Sequence, residues 1–110
     1  MISSRPKTRY YRSETLRRMV AMLPCQHCGR EGETQASHSN QGRHGKSLSM
    51  KSSDQFLAGL CFRCHSMVDS SYSLDQDQRT EIWQKAHEKT VQTLVKMGMW
   101  PRDIPIPSMS

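Results

Sequence analysis

The chain has 110 residues, of which 35% are hydrophobic, and this predicts one globular domain with a thin core. Chains this short and polar usually need a bound metal or disulfides to fold stably. The formal net charge of +6 favours a polyanionic partner, most simply nucleic acid, although a merely soluble basic protein would carry the same charge. With no long apolar run and no secretory signal, no membrane association is expected, and the cytoplasm is the expected location.

Residues 1–24 are predicted to form a basic arm followed by a short helix. Six basic side chains stand here against one acid, so the segment can lie along phosphates or be a solvated tail. Ser13 is a suitable cap for a helix over Glu14–Leu23, and Pro24 ends it. The basic residues are Arg5, Lys7, Arg9, Arg12, Arg17 and Arg18.

All four cysteines fall in two Cys-x-x-Cys pairs, Cys25/Cys28 and Cys61/Cys64. Two residues between the thiols let both reach one ion, and two such turns complete a tetrahedral zinc site. A redox dithiol is the alternative, but it would need a single pair within a βαβ pattern, which is absent here. The spacing therefore predicts one structural zinc, with no open position for catalysis.

Residues 25–72 are predicted to form an α+β core around the cysteines. The pattern favours a short strand over Thr34–His38, a Gly-, Ser- and Lys-rich loop over Ser39–Lys51, and a second strand over Gln55–Leu60. A helix is expected from the second cysteine pair to about Ser70.

Three side chains in this core suggest a second metal site. His65 and Asp69 are four residues apart, so both can grip one cation from one helix face, and we expect the zinc to bring His38 opposite them. Each residue also has an ordinary interpretation: a surface or supporting histidine, a helix salt bridge, a polar loop residue.

Residues 73–110 are predicted to be a long helix over Asp75–Met97 and an extended, proline-containing tail. The apolar stripe on this helix is typical of core packing. Trp83, Val91 and Leu94 would be anchors of a homodimer or of a partner protein only if they are exposed.

These motifs together resemble the HNH, or ββα-metal, endonucleases. The similarity covers about Cys25 to Ser70 and is carried by a Cys-x-x-Cys pair, then Ala36-Ser37-His38, a basic loop with glycines, and Leu60-Cys61-x-x-Cys64-His65. The residues closest to the small YbcO-like HNH proteins of lambdoid phages and prophages are Ser37-His38-Ser39-Asn40, Gly45-Lys46, Lys51, Asp54 and Asp69.

The resemblance implies a zinc-stapled ββα-metal core that hydrolyses phosphodiester bonds. It implies that His38 is the general base and that His65 and Asp69 hold a catalytic divalent ion such as Mg²⁺, Mn²⁺, Ni²⁺ or Zn²⁺. Asp54, or Gln55 by spacing, matches the middle position of the motif, and Asn40 supports it. Many relatives have Asp or His as a ligand where this chain has Ser37, which leaves open whether His38 is base or ligand.

The expected substrate is nucleic acid, most simply DNA, in a bacterial cell hosting a phage or prophage. Phosphate contacts are assigned to Arg43, Lys46 and Lys51 of the loop and to Arg12 of the arm. His44 is a second candidate base, ranked below His38. The alternatives are a zinc-stabilised module that binds nucleic acid without cutting it, and a protein-interaction module.

Overall fold

A computed structural model describes residues 10–44, 46, 51–70 and 73–107 of the chain, and these form a small α+β fold. The bounds of the elements, in chain order, are α1 (Glu14–Met22), β1 (Thr34–His38), a 3₁₀ turn (Gly42–His44), β2 (Leu57–Cys61), α2 (Phe62–Ser70) and α3 (Gln76–Lys96). None of the described helices combines the length and apolarity that crossing a membrane requires.

Helix α1 is amphipathic and begins at the predicted cap. Ser13 Oγ accepts a hydrogen bond from the Leu16 backbone N–H at 3.1 Å, which satisfies one of the free donors of the first turn. Leu16 and Val20 are buried on one face. The helix ends at Met22, one residue before the predicted end, because the backbone of Leu23 is already extended.

Strands β1 and β2 form an antiparallel hairpin in which Thr34 pairs with Cys61 and His38 with Leu57. The first strand has the predicted bounds. The second begins two residues later than predicted, because the backbone turns just before it and the Phe56 N–H donates to the Ser53 carbonyl at 3.0 Å. Strand β2 continues without a break into α2, which begins at Phe62.

The outer edge of β2 is covered by side chains and backbone from other elements. The Gly59 N–H donates to Thr90 Oγ1 at 3.0 Å, and the Gly59 carbonyl accepts from the Gln26 N–H at 2.8 Å. His87 Nδ1 donates to the Leu57 carbonyl at 2.8 Å. A two-stranded sheet would otherwise leave these groups without partners in a buried setting, so α3 and the first cysteine turn replace a third strand.

Helix α3 begins with a capping box between Asp75 and Gln78 and ends at Lys96, before Gly98 at φ +69°. Trp83, Val91 and Leu94 lie in the core with at most 3% of their surface exposed. These three side chains are therefore buried, whereas the predicted role as dimer anchors required them to be exposed.

Two apolar clusters lie on either side of the hairpin. Ala58 and Leu60 of β2 belong to the cluster around the cysteines, whereas Leu57 belongs to the cluster that α1 covers. The first part of the tail is not extended as predicted: the Ile104 N–H donates to the Pro101 carbonyl at 3.3 Å, and Ile104 is buried in the second cluster. Burial of this hydrophobic side chain stabilises the turn.

Candidate functional site

The four cysteines meet at the junction of the first turn, the hairpin and α2. Cys25 and Cys28 lie in a tight turn closed by the Gly29 N–H, which donates to the Cys25 carbonyl at 2.9 Å. Gly29 has φ +83°, a conformation that favours glycine. Cys61 ends β2 and Cys64 lies in the first turn of α2, so regular secondary structure positions both of these thiols.

The geometry of this cluster fits one tetrahedral divalent metal ion such as zinc. The four sulfur atoms lie within 4.8 Å of one another. The 3.7 Å between Cys28 Sγ and Cys61 Sγ is too long for a disulfide, and it is close to the edge of about 3.8 Å in a tetrahedron with Zn–S bonds of about 2.3 Å. All four cysteines are free.

The pKa values of Cys25 and Cys64 are shifted in opposite directions, as expected where several thiols lie close together. Burial raises the pKa of Cys25, but hydrogen bonds from neighbouring backbone N–H groups lower it to about 6 overall. Burial and hydrogen bonds to the other thiols raise the pKa of Cys64. A divalent cation is the group that allows all four sulfurs to be ionised together.

His65 and Asp69 face each other on α2, one turn apart. His65 Nε2 lies 3.2 Å from Asp69 Oδ2, while His65 Nδ1 lies 2.7 Å from Oε1 of Gln35 on β1. Asn40 Nδ2 donates to Asp69 Oδ1 at 3.0 Å. The hydrogen bond with His65 lowers the pKa of Asp69, and Asn40 and Arg79 add to the effect. The predicted pairing across one helix turn is thus present, with Gln35 and Asn40 at its sides.

The structure does not bring His38 to this pair. Side chains alternate along a strand, so Gln35 points to the face covered by α2 and His38 to the face covered by α1. Within the described part of the chain, only the four cysteines form a group of three or more His, Cys, Asp or Glu side chains close enough to share an ion. The expected site of His38 with His65 and Asp69 is therefore corrected to a pair on one face and a separate histidine on the other.

His38 is instead bound to Asp54. His38 Nε2 donates to Asp54 Oδ1 at 2.7 Å, and the histidine side chain keeps 19% of its surface exposed. A carboxylate can only accept this hydrogen bond, so Nε2 carries a proton, and in the neutral imidazole the lone pair is then on Nδ1. This is the arrangement in which a carboxylate orients a histidine and fixes its tautomer.

Asp54 is a fully buried carboxylate that joins the start of α1 to the hairpin. Its Oδ2 accepts from the Ser13 backbone N–H at 2.7 Å and from Arg17 Nη1. Burial opposes ionisation, but the hydrogen bonds from His38, Ser13 and Arg17 hold the pKa of Asp54 below its usual value. Asp54 is therefore an ionised structural centre as well as the partner of His38.

The residues predicted to bind phosphate differ in their exposure and in their contacts within the fold. Arg12 donates to the carbonyl oxygens of Ser52 and Lys51 at 2.8 and 3.0 Å and lies 3.6 Å from Asp54, so part of its guanidinium is used within the fold while 43% of the side chain stays exposed. Its assignment to phosphate stays a prediction.

On the loop, Lys51 is exposed and Lys46 is half-buried. Arg43 is exposed but held against α3, where its Nη2 donates to Gln84 Oε1 at 3.1 Å. The arm residues Arg5, Lys7 and Arg9, and Gly45 of the loop, lie outside the described residues.

Two further histidines serve packing. His44 stacks on Phe56 with ring centroids 4.2 Å apart, and burial together with Arg43 and His87 lowers its pKa to about 4, which makes it a poor base at neutral pH. His87 stacks on Trp83 at 4.8 Å, and burial lowers its pKa. Sequence reasoning had not singled out His87, and its place among apolar residues on the α3 stripe was the available signal.

Sequence reasoning also missed Gln35 and Gln84, the partners of His65 and Arg43.

Comparison of the chain with protein-family models, with curated proteins and with solved structures gives no match, so the geometry of the chain itself carries the functional argument.

Proposed function

We propose that this chain is a metal-dependent endonuclease of the HNH kind, which hydrolyses phosphodiester bonds of nucleic acid, most simply DNA. The observation that carries the proposal is the facing pair on α2, His65 Nε2 and Asp69 Oδ2, which are 3.2 Å apart, with His65 directly after Cys64 of the cluster. The cluster provides a structural zinc, and the pair provides a second, open place for a divalent ion.

The pair suits a partly hydrated ion. One imidazole nitrogen and one carboxylate oxygen leave several coordination positions to water and to substrate phosphate, as is common for Mg²⁺ and related ions. An ion bound there supplies charge stabilisation of the phosphoryl and leaving oxygens. Asn40, bonded to Asp69, holds the carboxylate in place from the loop after β1.

His38 is assigned the role of general base. Its Nε2 is committed to Asp54, and its Nδ1 is the nitrogen that can take a proton from water. His38 and the ion-binding pair belong to different faces of β1, but Asn40 lies only two residues after His38 and contacts Asp69.

Cleavage of a supercoiled plasmid in the presence of Mg²⁺, Mn²⁺, Ni²⁺ or Zn²⁺, with an EDTA control, is the direct test. His38→Gln is the sharpest variant, because glutamine can still donate to Asp54 but has no basic nitrogen. It should remove cleavage and leave the zinc content and melting temperature unchanged. His27→Ala is the matched control, since His27 is exposed in the cysteine turn and is assigned no role.

His65→Ala and Asp69→Ala should also lose activity, but through weaker binding of the catalytic ion. Excess metal should then restore part of the activity, whereas it should not rescue His38→Gln. Titration of metal into the zinc-loaded variants separates these cases. The catalytic proposal fails if the wild type cuts neither DNA nor RNA with any ion, or if all three variants match it.

One observation favours a second function, a zinc-stabilised nucleic-acid-binding module without catalysis. His38, Arg12 and Arg17 each have a contact with Asp54, and folding alone is enough to account for these contacts. Salt-sensitive binding of DNA without cleavage in any metal would identify this module.

A further inference from the structure

A cleft of about 720 Å³ lies beside Asp69. The loop after β1, the end of α2 and the first turns of α3 form its walls, and Trp83 contributes to its lining. This volume is within the range of pockets that bury most of a small molecule. The cleft is thus large enough for one nucleotide.

The lining of the cleft is polar and mixed in hydrogen-bonding character. Gln76 contributes a carboxamide and Thr80 a hydroxyl. The carboxamides of Asn40 and Gln41 also line the cleft, but they are already hydrogen-bonded to other side chains of the fold. A carboxamide offers donors and an acceptor side by side, which is the pattern that pairs with the edge of a nucleobase. An apolar ligand would leave the polar groups of Gln76 and Thr80 without partners.

Arg79 places a positive charge in the same cleft. Its Nη1 donates to the Asp69 backbone carbonyl at 3.1 Å, which fixes the side chain at the end of α2. Its Nε is buried and has no hydrogen-bond partner within the described residues. Because Nε is buried, a phosphate in the cleft would be bound by the outer Nη groups of the guanidinium.

The cleft adjoins the pair on α2, because Asp69 belongs to both, and Asn40, which donates to Asp69, also lines the cleft. A nucleotide seated in the cleft would therefore have an adjacent phosphate next to His65 and Asp69. A base that is stacked and paired in a duplex must leave the helix before a pocket can enclose it.

We propose that this cleft takes a single unpaired nucleotide, so that the substrate class is nucleic acid with an unpaired nucleotide beside the cut, as in a bulge, a branch or a single strand. The position of the cut rests on the proposed nuclease function. The preference for an unpaired nucleotide does not rest on that function, because it is a property of binding and not of cleavage.

The test is equilibrium binding in EDTA at concentrations that leave the structural zinc in place, with fluorescein-labelled DNA of one sequence. The probes are a fully paired duplex, the same duplex with a two-nucleotide bulge, and that duplex with abasic sites in the bulge. Wild type should bind the bulge about tenfold more tightly than the paired duplex, as one well-held base warrants, and the abasic probe should lose this preference.

Thr80→Trp fills the cleft from α3 and should reduce the tenfold preference to about onefold while affinity for the paired duplex is kept. Gln92→Trp is the matched control, because Gln92 is exposed on the same helix and does not line the cleft. Gln41→Ala, a smaller change, should reduce the preference in part and guards against misfolding of the larger variant.

Equal wild-type affinity for the three probes, or a preference that survives Thr80→Trp, would overturn the proposal. The two proposals fail separately. Loss of bulge preference with intact plasmid cleavage removes the nucleotide cleft alone, whereas bulge preference without cleavage in any metal removes the nuclease assignment alone.

Discussion

Replacing Asp54 with asparagine should destabilise the protein by about 3 kcal/mol, because one buried carboxylate holds three donors from distant parts of the chain. The Ser13 N–H and His38 Nε2 each lie 2.7 Å from an Asp54 oxygen, and Arg17 is the third donor. Hydrogen bonds to a charged group contribute about 1.5–3 kcal/mol each. The Arg17 side chain is 37% exposed, so its share is discounted to about 1 kcal/mol or less, and asparagine keeps one acceptor.

The measurement is urea unfolding of zinc-loaded protein at pH 7, followed by circular dichroism. The lowered pKa of Asp54 means that its stabilising effect is complete above pH 3.8 and is lost only as the carboxyl takes up a proton in acid. At pH 7 the full difference is therefore observed. A loss of about 3 kcal/mol corresponds to a fall in Tm of more than about 10 °C for a chain of this size.

Asp103→Asn is the matched control, since Asp103 is exposed in the turn after α3. It should leave the free energy of unfolding within about 0.5 kcal/mol of wild type. If Asp54→Asn were as stable as Asp103→Asn, the convergence of donors on Asp54 would have no energetic importance, and the assignment of Asp54 as a structural centre would be refuted.

The metal cluster, the hairpin and the arm each lead to a further prediction. Cys61→Ser should lose the single zinc measured by elemental analysis, together with cooperative unfolding; retained zinc would contradict the cluster. Gly59→Ala should cost about 1–2 kcal/mol in urea unfolding, because the added Cβ would lie 3.2 Å from Thr34 Cγ2 of β1 and 3.4 Å from Val20 Cγ1 of α1. An unchanged midpoint would show that these neighbours move aside at little cost. Deleting residues 1–9 should make DNA binding less sensitive to salt. The slope of the logarithm of the binding constant against the logarithm of salt concentration should fall by about 0.9 for each phosphate that the arm neutralises. An unchanged slope would show that the arm does not contact phosphates.

Local sequence signals predicted the elements well. Thr34–His38 has the predicted bounds, and helices α1 and α3 begin and end within one residue of expectation. Ser13, the Asp75 capping box and Gly98 are local signals for these ends. The cysteine cluster was equally predictable, since the Cys-x-x-Cys spacing alone determines which thiols can reach a common ion.

The relation of the site residues to one another was less predictable. The alternation along β1 indicated that Gln35 and His38 lie on opposite faces, but nothing local determines which face α2 covers. The pairing of His38 with Asp54 and the commitment of Arg12 to loop carbonyls depend on how α1 packs across the hairpin. Contacts between residues 16 or 40 positions apart in sequence are set by tertiary packing, which local spacing does not specify.

Strand β2 passes directly into α2, so no loop residue can adjust the orientation of the helix at the metal cluster. Cys61 is the last strand residue and Phe62 the first helical one, so the strand register fixes the rotation of the helix. One residue inserted at this boundary would turn α2 by about 100° about its axis and carry His65 and Asp69 away from Gln35 and Asn40. Insertions are therefore expected to be tolerated in the loop between the strands and rejected at this junction, and a library of single-residue insertions scored for zinc retention would map that contrast along the chain.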